Sequence, residues 1–464
     1  MTTTMQSNQS NVITEEMMTT GFELLFGKGY IHKSKTYSWS ADRRDTQNGH
    51  MLIVGGSGSG KTRLLKKIIE FLSNNDKQVY VIDFHGDMQT PNEIMHKFTL
   101  RNSEYGINPF EIEFDKDNGG PNAQASIILA NFKKNFIPNL GAVQKTVLRN
   151  FLTDCYRYVG ILDEDESTWT SPLPTVSTMI ELFEKITHSI KTGKGMRISE
   201  NLEKITKLMR DYTYESDEEK RASIKNRISG ELDALNSGVT LFNQYVNEGK
   251  HEEMFNTNIS AYIDTEFYLD PTNAKAFLSL TPYIYDLKAS SVFNDNKPPK
   301  SKGVVRYDIS GFTNTDKPSE AMFFSDTLIQ KIFRAVKMRG EYRKLGKKGK
   351  ADTFIIIDES KLILPTGKDK ENPYNILNRI VTESRKFGMA LIIVSQRPEH
   401  FPEEMLSSIY TKIVLRINEN DVKAAANSLG VKDPSLFKHL NSKNVALVGY
   451  TGGLFESVEL AYSS

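Results

Sequence analysis

Apolar positions follow two rhythms along this chain. One is a set of short, continuous apolar runs ended by glycine or by acids, the pattern of strands buried on both faces. They are "HMLIVGG" from His50, "KQVYVIDFHGD" from Lys77, "GVVRYDIS" from Gly303, "TFIIIDES" from Thr353, "ALIIVSQ" from Ala390, "KIVLRI" from Lys412, "NVALVGY" from Asn444 and "LFESVEL" from Leu454. The other is helical. "KTRLLKKIIEFL" from Lys61 predicts a right-handed helical crossover between the first two strands. From about Asn122 to Asp295 helix-period stretches such as "AQASIILANFKKNF" and "VQKTVLRNFLTDCYRYV" replace strands, and the Lys- and Glu-rich part from Glu181 to Phe255 predicts an exposed helical insertion. Aromatic and β-branched residues around glycines predict a hairpin over 22–40, and "GYTGG" predicts a turn that closes the sheet with an antiparallel hairpin.

Composition narrows the class. Of 464 residues 38% are hydrophobic and 25% charged, as in a soluble globular protein, and the net charge of +1 leaves any nucleic-acid binding to local patches. A single cysteine, Cys155, excludes an internal disulfide and a multi-cysteine metal site. No apolar run approaches the roughly 20 residues of a membrane span. The start, "MTTTMQSNQSNVITEE", reads as a polar tail without a secretory signal, so the expectation is a cytoplasmic protein. There is no internal repeat.

The candidate chemistry sits at strand ends. "GGSGSGKT" between a strand and a helix fits the P-loop pattern. Its Gly55, Gly56, Ser57, Gly58, Ser59 and Gly60 are expected to aim backbone N–H groups at the phosphates of ATP. Lys61 reaches the β- and γ-phosphates and Thr62 ligates Mg²⁺ in this reading. Asp358, ending "FIIID", is placed to hold Mg²⁺ opposite Thr62, and Glu359 is the candidate base for the attacking water. Asp83 and Asp87 stand at another strand edge; His85 beside them reads equally well as a site residue or a structural histidine.

"ESRKFGMALIIVSQRPEHF" carries a basic pair before a buried strand and a polar pair after it. If that strand neighbours the one ending at Asp358, Gln396 lies beside the γ-phosphate, because ligands sit at the carboxyl edge of α/β sheets. Arg385 precedes the strand, so its own sheet holds it away from its own nucleotide. It can serve only a neighbouring subunit, as an arginine finger in trans. Arg397 is the rival finger and nucleotide contact, Lys386 a weaker one, and a solvated end-of-helix charge the plainer reading of Arg385.

Taken together, "HMLIVGGSGSGKT", "VYVIDFHGD", "INPF", "VVRYDISG", "FIIIDES", "ESRKFGMALIIVSQRP", "VLRINENDV" and "NVALVGY" resemble the HerA/FtsK superfamily of DNA-pumping ATPases, most closely its HerA branch. Type IV secretion and conjugation ATPases share much of this order. The resemblance covers about residues 45–120 and 300–464, and it implies an α/β fold: a RecA-like P-loop NTPase core sheet with a large α-helical insertion domain. The expected division is a tail over 1–20, hairpin and first core part over 21–121, insertion over 122–300 and second core part over 301–464. It further implies a homohexameric ring around double-stranded DNA, with Glu359 catalytic, Gln396 sensing and Arg385 the finger. The N-terminal β-barrel usual in HerA proteins does not fit the roughly fifty residues before the P-loop, and membrane helices and a DNA-reading winged helix of the FtsK type are not seen.

Two basic segments are candidate DNA contacts: Lys331 to Lys350, with Glu341 its only acid, and Lys191, Lys194 and Arg197. Either reads also as solvated surface. No motif for sequence-specific reading is present. The expected function is an ATP-driven translocase on double-stranded DNA. The alternatives are a conjugation or secretion ATPase, or a nucleotide-gated ATPase in a defence or repair assembly with a partner nuclease.

Overall fold

The computed structural model describes residues 22–41, 46–115, 119–170, 172–196, 198–247, 263–313, 318–346, 351–364 and 375–461. The polar tail, Arg197 and the end of the basic segment (347–350) lie outside these, as does the side chain of Lys194.

Chain packing divides the protein into two units, one made of Met1–Ile107 with Asn294–Ser464 and one of Asn108–Phe293. The first is built on one eleven-stranded sheet. Its strands are β1 (Leu24–Gly29), β2 (Thr36–Trp39), β3 (Met51–Val54), β4 (Gln78–Asp83), β5 (Ile94–Lys97), β6 (Val304–Asp308), β7 (Thr353–Ile357), β8 (Met389–Ser395), β9 (Thr411–Val414), β10 (Val445–Tyr450) and β11 (Glu456–Leu460). They lie in the order β2-β1-β11-β10-β9-β3-β8-β7-β4-β6-β5.

From β9 to β5 every pairing is parallel; β10, β11, β1 and β2 add an antiparallel flank. Every apolar run read from the sequence became a strand, and β3, β7 and β8 are buried at every residue. The parallel arrangement explains those continuous runs: a strand packed on both faces has no polar side to alternate with. Both predicted hairpins form, and both join the same sheet, because β1 pairs with β11. Sequence reasoning missed β5. Its "IMHK" exposes all but His96, so it carries no apolar run.

Helix α1 (Lys61–Asn74) follows β3 and buries Leu64, Leu65, Ile68, Ile69, Phe71 and Leu72, an amphipathic face matching its periodicity. These join Ile53, Val81, Ile356, Ile392 and Val394 in the main core.

The second unit is helical; among its described residues the only β feature is the isolated bridge between Leu162 and Asp165. Helices α2 (Gly120–Asn135), α3 (Ala142–Tyr158), α4 (Val176–Met196), α5 (Ile198–Tyr214) and α6 (Glu218–Asn247) lead to shorter helices at Thr265–Leu269, Pro271–Leu278 and Thr281–Ala289. Phe183 stacks on Phe277 at 4.6 Å between ring centres, and Phe151 meets both edge-on. The Tyr268 hydroxyl donates to buried Asp154 at 2.6 Å, and Arg157 donates to the same carboxylate at 3.0 Å. Cys155 is buried, and burial raises its thiol well above the ordinary range, as expected for a packing residue. No helix among the described residues is long and apolar enough to cross a membrane.

Candidate active site

Parallel order puts the carboxyl ends of β3, β8, β7 and β4 side by side, with β8 between the P-loop strand and the strand that ends at Asp358. The loop after β3 is tied to both of that strand's neighbours: Gly55 N–H donates to Ser395 O at 3.1 Å and Gly56 N–H to Arg416 O at 2.8 Å. Glycine is favoured at three of these positions. A Cβ on Gly55 would stand 2.4 Å from Ser59 Oγ, and Gly58 and Gly60 hold φ of +69° and +94° in the left-handed region. The loop turns back over itself, and α1 begins at once with Lys61. Lys61 Nζ donates to Gly56 O at 2.7 Å; burial lowers its pKa while Glu359 opposes that shift.

These residues open onto a cleft of about 290 Å³, lined by Ser57, Gly58, Lys61, Thr62, Leu65, His85, Asp87, Asp358, Glu359, Val394 and Gln396. Sequence-predicted residues from four separate segments meet in it. Asp358 is buried and accepts from Phe84 N–H at 3.2 Å. Burial first, then the carboxylates of Asp83, Asp87 and Glu359, push the Asp358 carboxyl well above its usual range, with the Phe84 N–H working the other way. Carboxylate oxygens of Asp83, Asp87 and Asp358 all lie within 4.8 Å of one another. Carboxylate oxygens with the Thr62 hydroxyl opposite are the donors a hard divalent cation such as Mg²⁺ takes. A cation there would also relieve the repulsion that raises Asp358.

Glu359 sits in the turn after β7, which is pinned to β8 by the Ser360 hydroxyl donating to Val394 O at 2.6 Å. Its Oε1 is buried without a hydrogen-bond partner, and its Oε2 lies 4.0 Å from His85 Nε2. An unpartnered carboxylate oxygen in a polar cleft is costly unless a ligand or water completes it, which suits a base awaiting a water proton. His85 is mostly exposed, so it reads as a cleft residue and not a buried structural one.

Gln396 follows β8 and is exposed in the cleft. Arg397 does not line it; its guanidinium pairs with Asp421 at 3.3 Å. Arg385 lies in the turn Ser384–Phe387, before β8, exposed and at the far end of that strand from Gln396. At about 3.3 Å per residue, β8 separates it from the cleft by roughly 20 Å. The basic segment 339–346 shares this far end: Tyr342 N–H donates to Lys386 O at 2.8 Å, and Arg339 pairs with Asp352 at 2.9 Å.

Sequence reasoning missed Arg306. It sits in β6, 2% exposed, bonded to Asp83 and Glu93. The signal was legible: an arginine inside the apolar run "VVRYD" must have acidic partners, since an unpaired buried charge is prohibitive.

The family model for the central domain of helicase HerA matches residues 45–274, from the P-loop through most of the helical unit. The chain is 43% identical over 64 residues to the DNA double-strand break repair helicase HerA of Pyrococcus furiosus, covering 14% of this chain and 11% of that one. It is 28% identical over 172 residues to the HerA of Saccharolobus solfataricus, covering 36% and 32%. These matches therefore span no more than about a third of the relatives' own lengths. Among solved structures, VirB4 of Thermoanaerobacter pseudethanolicus superposes with a TM-score of 0.62 at 12% identity, over 96% of this chain and 98% of that one. The bacterial conjugative coupling protein TrwB, lacking its first seventy residues, gives 0.52 at 14% identity, over 90% and 86%. At such identities the likeness concerns the fold alone.

Proposed function

We propose that this chain, which matches the central domain of helicase HerA over residues 45–274, is a HerA-like ATP-driven motor on double-stranded DNA, working as a ring of identical subunits, six in the family's arrangement. The observation that carries the reading is a separation. Lys61, Thr62, Asp358, Glu359 and Gln396 meet in one cleft, while Arg385 stands at the opposite end of the strand that delivers Gln396.

In this reading the loop from Gly55 to Gly60 and the start of α1 bind the phosphates, and Lys61 neutralises charge on the terminal ones. Asp358, with Asp87 and Thr62, would hold Mg²⁺, which would supply neutralisation of phosphate charge. Glu359 accepts the proton of the attacking water, and Gln396 orients that water or senses its phosphate neighbour. A guanidinium to stabilise the negative charge on the γ-phosphoryl group, as it passes to water and ADP leaves, then comes from Arg385 of an adjacent subunit, because its own cleft is out of reach. Arg343 and Lys344 are exposed at that same end, Lys344 beside Glu341 at 3.2 Å.

The conjugation or secretion ATPase keeps the same cleft and changes the cargo. Duplex DNA separates the two. ATP turnover by the full chain is expected to rise on adding duplex DNA of random sequence, with the stimulation falling steeply between low and physiological salt. Turnover indifferent to duplex DNA at every salt concentration would transfer the motor to another cargo.

A further inference from the structure

Outside the cleft, the strongest unassigned feature is a buried ionic cluster around Arg306. β6 lies between β4 and β5, and Arg306 is paired in register with Val81 on one side and Met95 on the other. Its side chain spans both. Nη1 donates to Asp83 Oδ2 at 2.9 Å and Nε donates to Glu93 Oε1 at 2.8 Å, with Asp308 Oδ2 at 3.8 Å. Asp83 ends β4 and Glu93 stands just before β5, so one guanidinium ties down both ends of the loop 84–93.

Each acid in turn shapes that loop. Asp83 accepts from the backbone N–H groups of His85 at 3.2 Å, Gly86 at 2.7 Å and Met88 at 3.1 Å. Glu93 Oε2 accepts from Thr90 N–H at 2.9 Å and from the Thr90 hydroxyl at 3.1 Å. Between these anchors lie the two loop residues that face the cleft, His85 and Asp87. Asp87 brings an oxygen within 4.8 Å of those of Asp83 and Asp358. Asp83, Asp87, Asp308, Asp358 and Glu359 crowd one sheet edge, and the loop could relieve that repulsion by swinging Asp87 away. Arg306 neutralises Asp83, which has no exposure to water, and removes that incentive.

We propose that Arg306 is a positioning residue for the divalent cation that accompanies the nucleotide: by holding Asp83 and Glu93 it fixes the loop 84–93 at both ends and sets Asp87 beside Asp358. This rests on reading the cleft as a Mg²⁺–nucleotide site. Arg306 touches neither cation nor nucleotide. Its effect is on affinity for the cation, and not on phosphate binding by the P-loop.

The test is a fluorescence titration of the full chain with a mant-labelled ATP, first without divalent cation and then against rising Mg²⁺, with direct Mn²⁺ binding by electron paramagnetic resonance as a second readout. Glu93→Gln frees the far end of the loop and leaves the Arg306–Asp83 pair in place. It is expected to raise half-saturation by Mg²⁺ about tenfold while leaving cation-free nucleotide affinity within about twofold, as outer-shell substitutions do at metal sites. Arg306→Lys keeps the charge but not the fork and should fall close to Glu93→Gln. Arg306→Met should exceed both; if it does not fold, Glu93→Gln decides. Mg²⁺ half-saturation within twofold of the wild type in Glu93→Gln, or equal weakening with and without cation, would overturn the proposal. A wild-type chain that binds Mg²⁺–nucleotide but never turns it over would sink the hydrolysis reading and leave this titration fully readable.

Discussion

The two ends of the parallel strands are chemical opposites. At the carboxyl ends of β4 and β7 stand Asp83, Asp87, Asp358 and Glu359, facing a glycine loop and one lysine. At the amino ends of β7 and β8 stand Arg343, Lys344, Arg385 and Lys386, all exposed. At the carboxyl end backbone N–H groups are spent on Asp83 and Asp358, while Glu359 Oε1 is buried without a hydrogen-bond partner. The amino end offers guanidinium and ammonium groups, with Glu341 paired to Lys344 at 3.2 Å and Asp352 to Arg339 at 2.9 Å. On the proposed reading each end holds what the other needs, and a single chain cannot bring them together, because the strands keep them apart. Two copies can.

The largest effect that would sharpen this contrast is at the amino end. Arg385→Ala is expected to lower turnover by about 10³–10⁵ while leaving mant-ATP affinity nearly unchanged, because a finger acts on the transition state. Turnover within tenfold of the wild type would return Arg385 to a surface charge. Next comes the carboxyl end. Glu359→Gln should bind nucleotide and lose about 10²–10⁴ in rate, the usual weight of a general base; steady-state hydrolysis at the wild-type rate would remove Glu359 from that role.

The smallest effect concerns stability at the amino end of β3. His50 is fully buried and accepts from Leu391 N–H at 2.9 Å through Nδ1, so it is neutral, and burial lowers its pKa to about 4. The unfolded chain therefore takes up the proton first as pH falls. His50 contributes stability above an unfolded pKa of about 6.5 and loses it progressively toward pH 4, about 3 kcal/mol in all. Chemical denaturation should show a shallower fall over that window for His50→Gln than for the wild type. Identical slopes would mean that His50 is hydrated in solution.

Why the sequence disclosed one end so much better than the other follows from the physics of each. Continuous apolar runs can be little but doubly buried strands, and the glycines of the loop are forced by left-handed backbone and by the missing space at Gly55. The cleft residues were therefore readable, since a strand's last residues have nowhere else to point. Strand order was not. Nothing local says that β8 separates β3 from β7, or that the first hairpin reaches β11 across the length of the chain. β5 went unread because "IMHK" is mostly exposed, and with it went the reason for an arginine inside β6. The helical unit was legible as helices and no further. Its aromatic core of Phe151, Phe183 and Phe277 explains its packing, and its Asp154–Tyr268 pair reads as internal satisfaction of a buried acid, without chemistry to announce.

The central claim is that one copy supplies the phosphate cradle and another the guanidinium. Mixing tests it most directly. Arg385→Ala subunits keep an intact cleft, and Lys61→Ala subunits keep an intact finger, so each is inactive alone. Titrating one into the other and measuring ATP turnover should give activity that rises to a maximum in mixed assemblies, because an intact cleft then meets an intact finger. Turnover that stays at the sum of the two inactive variants at every mixing ratio would contradict the account.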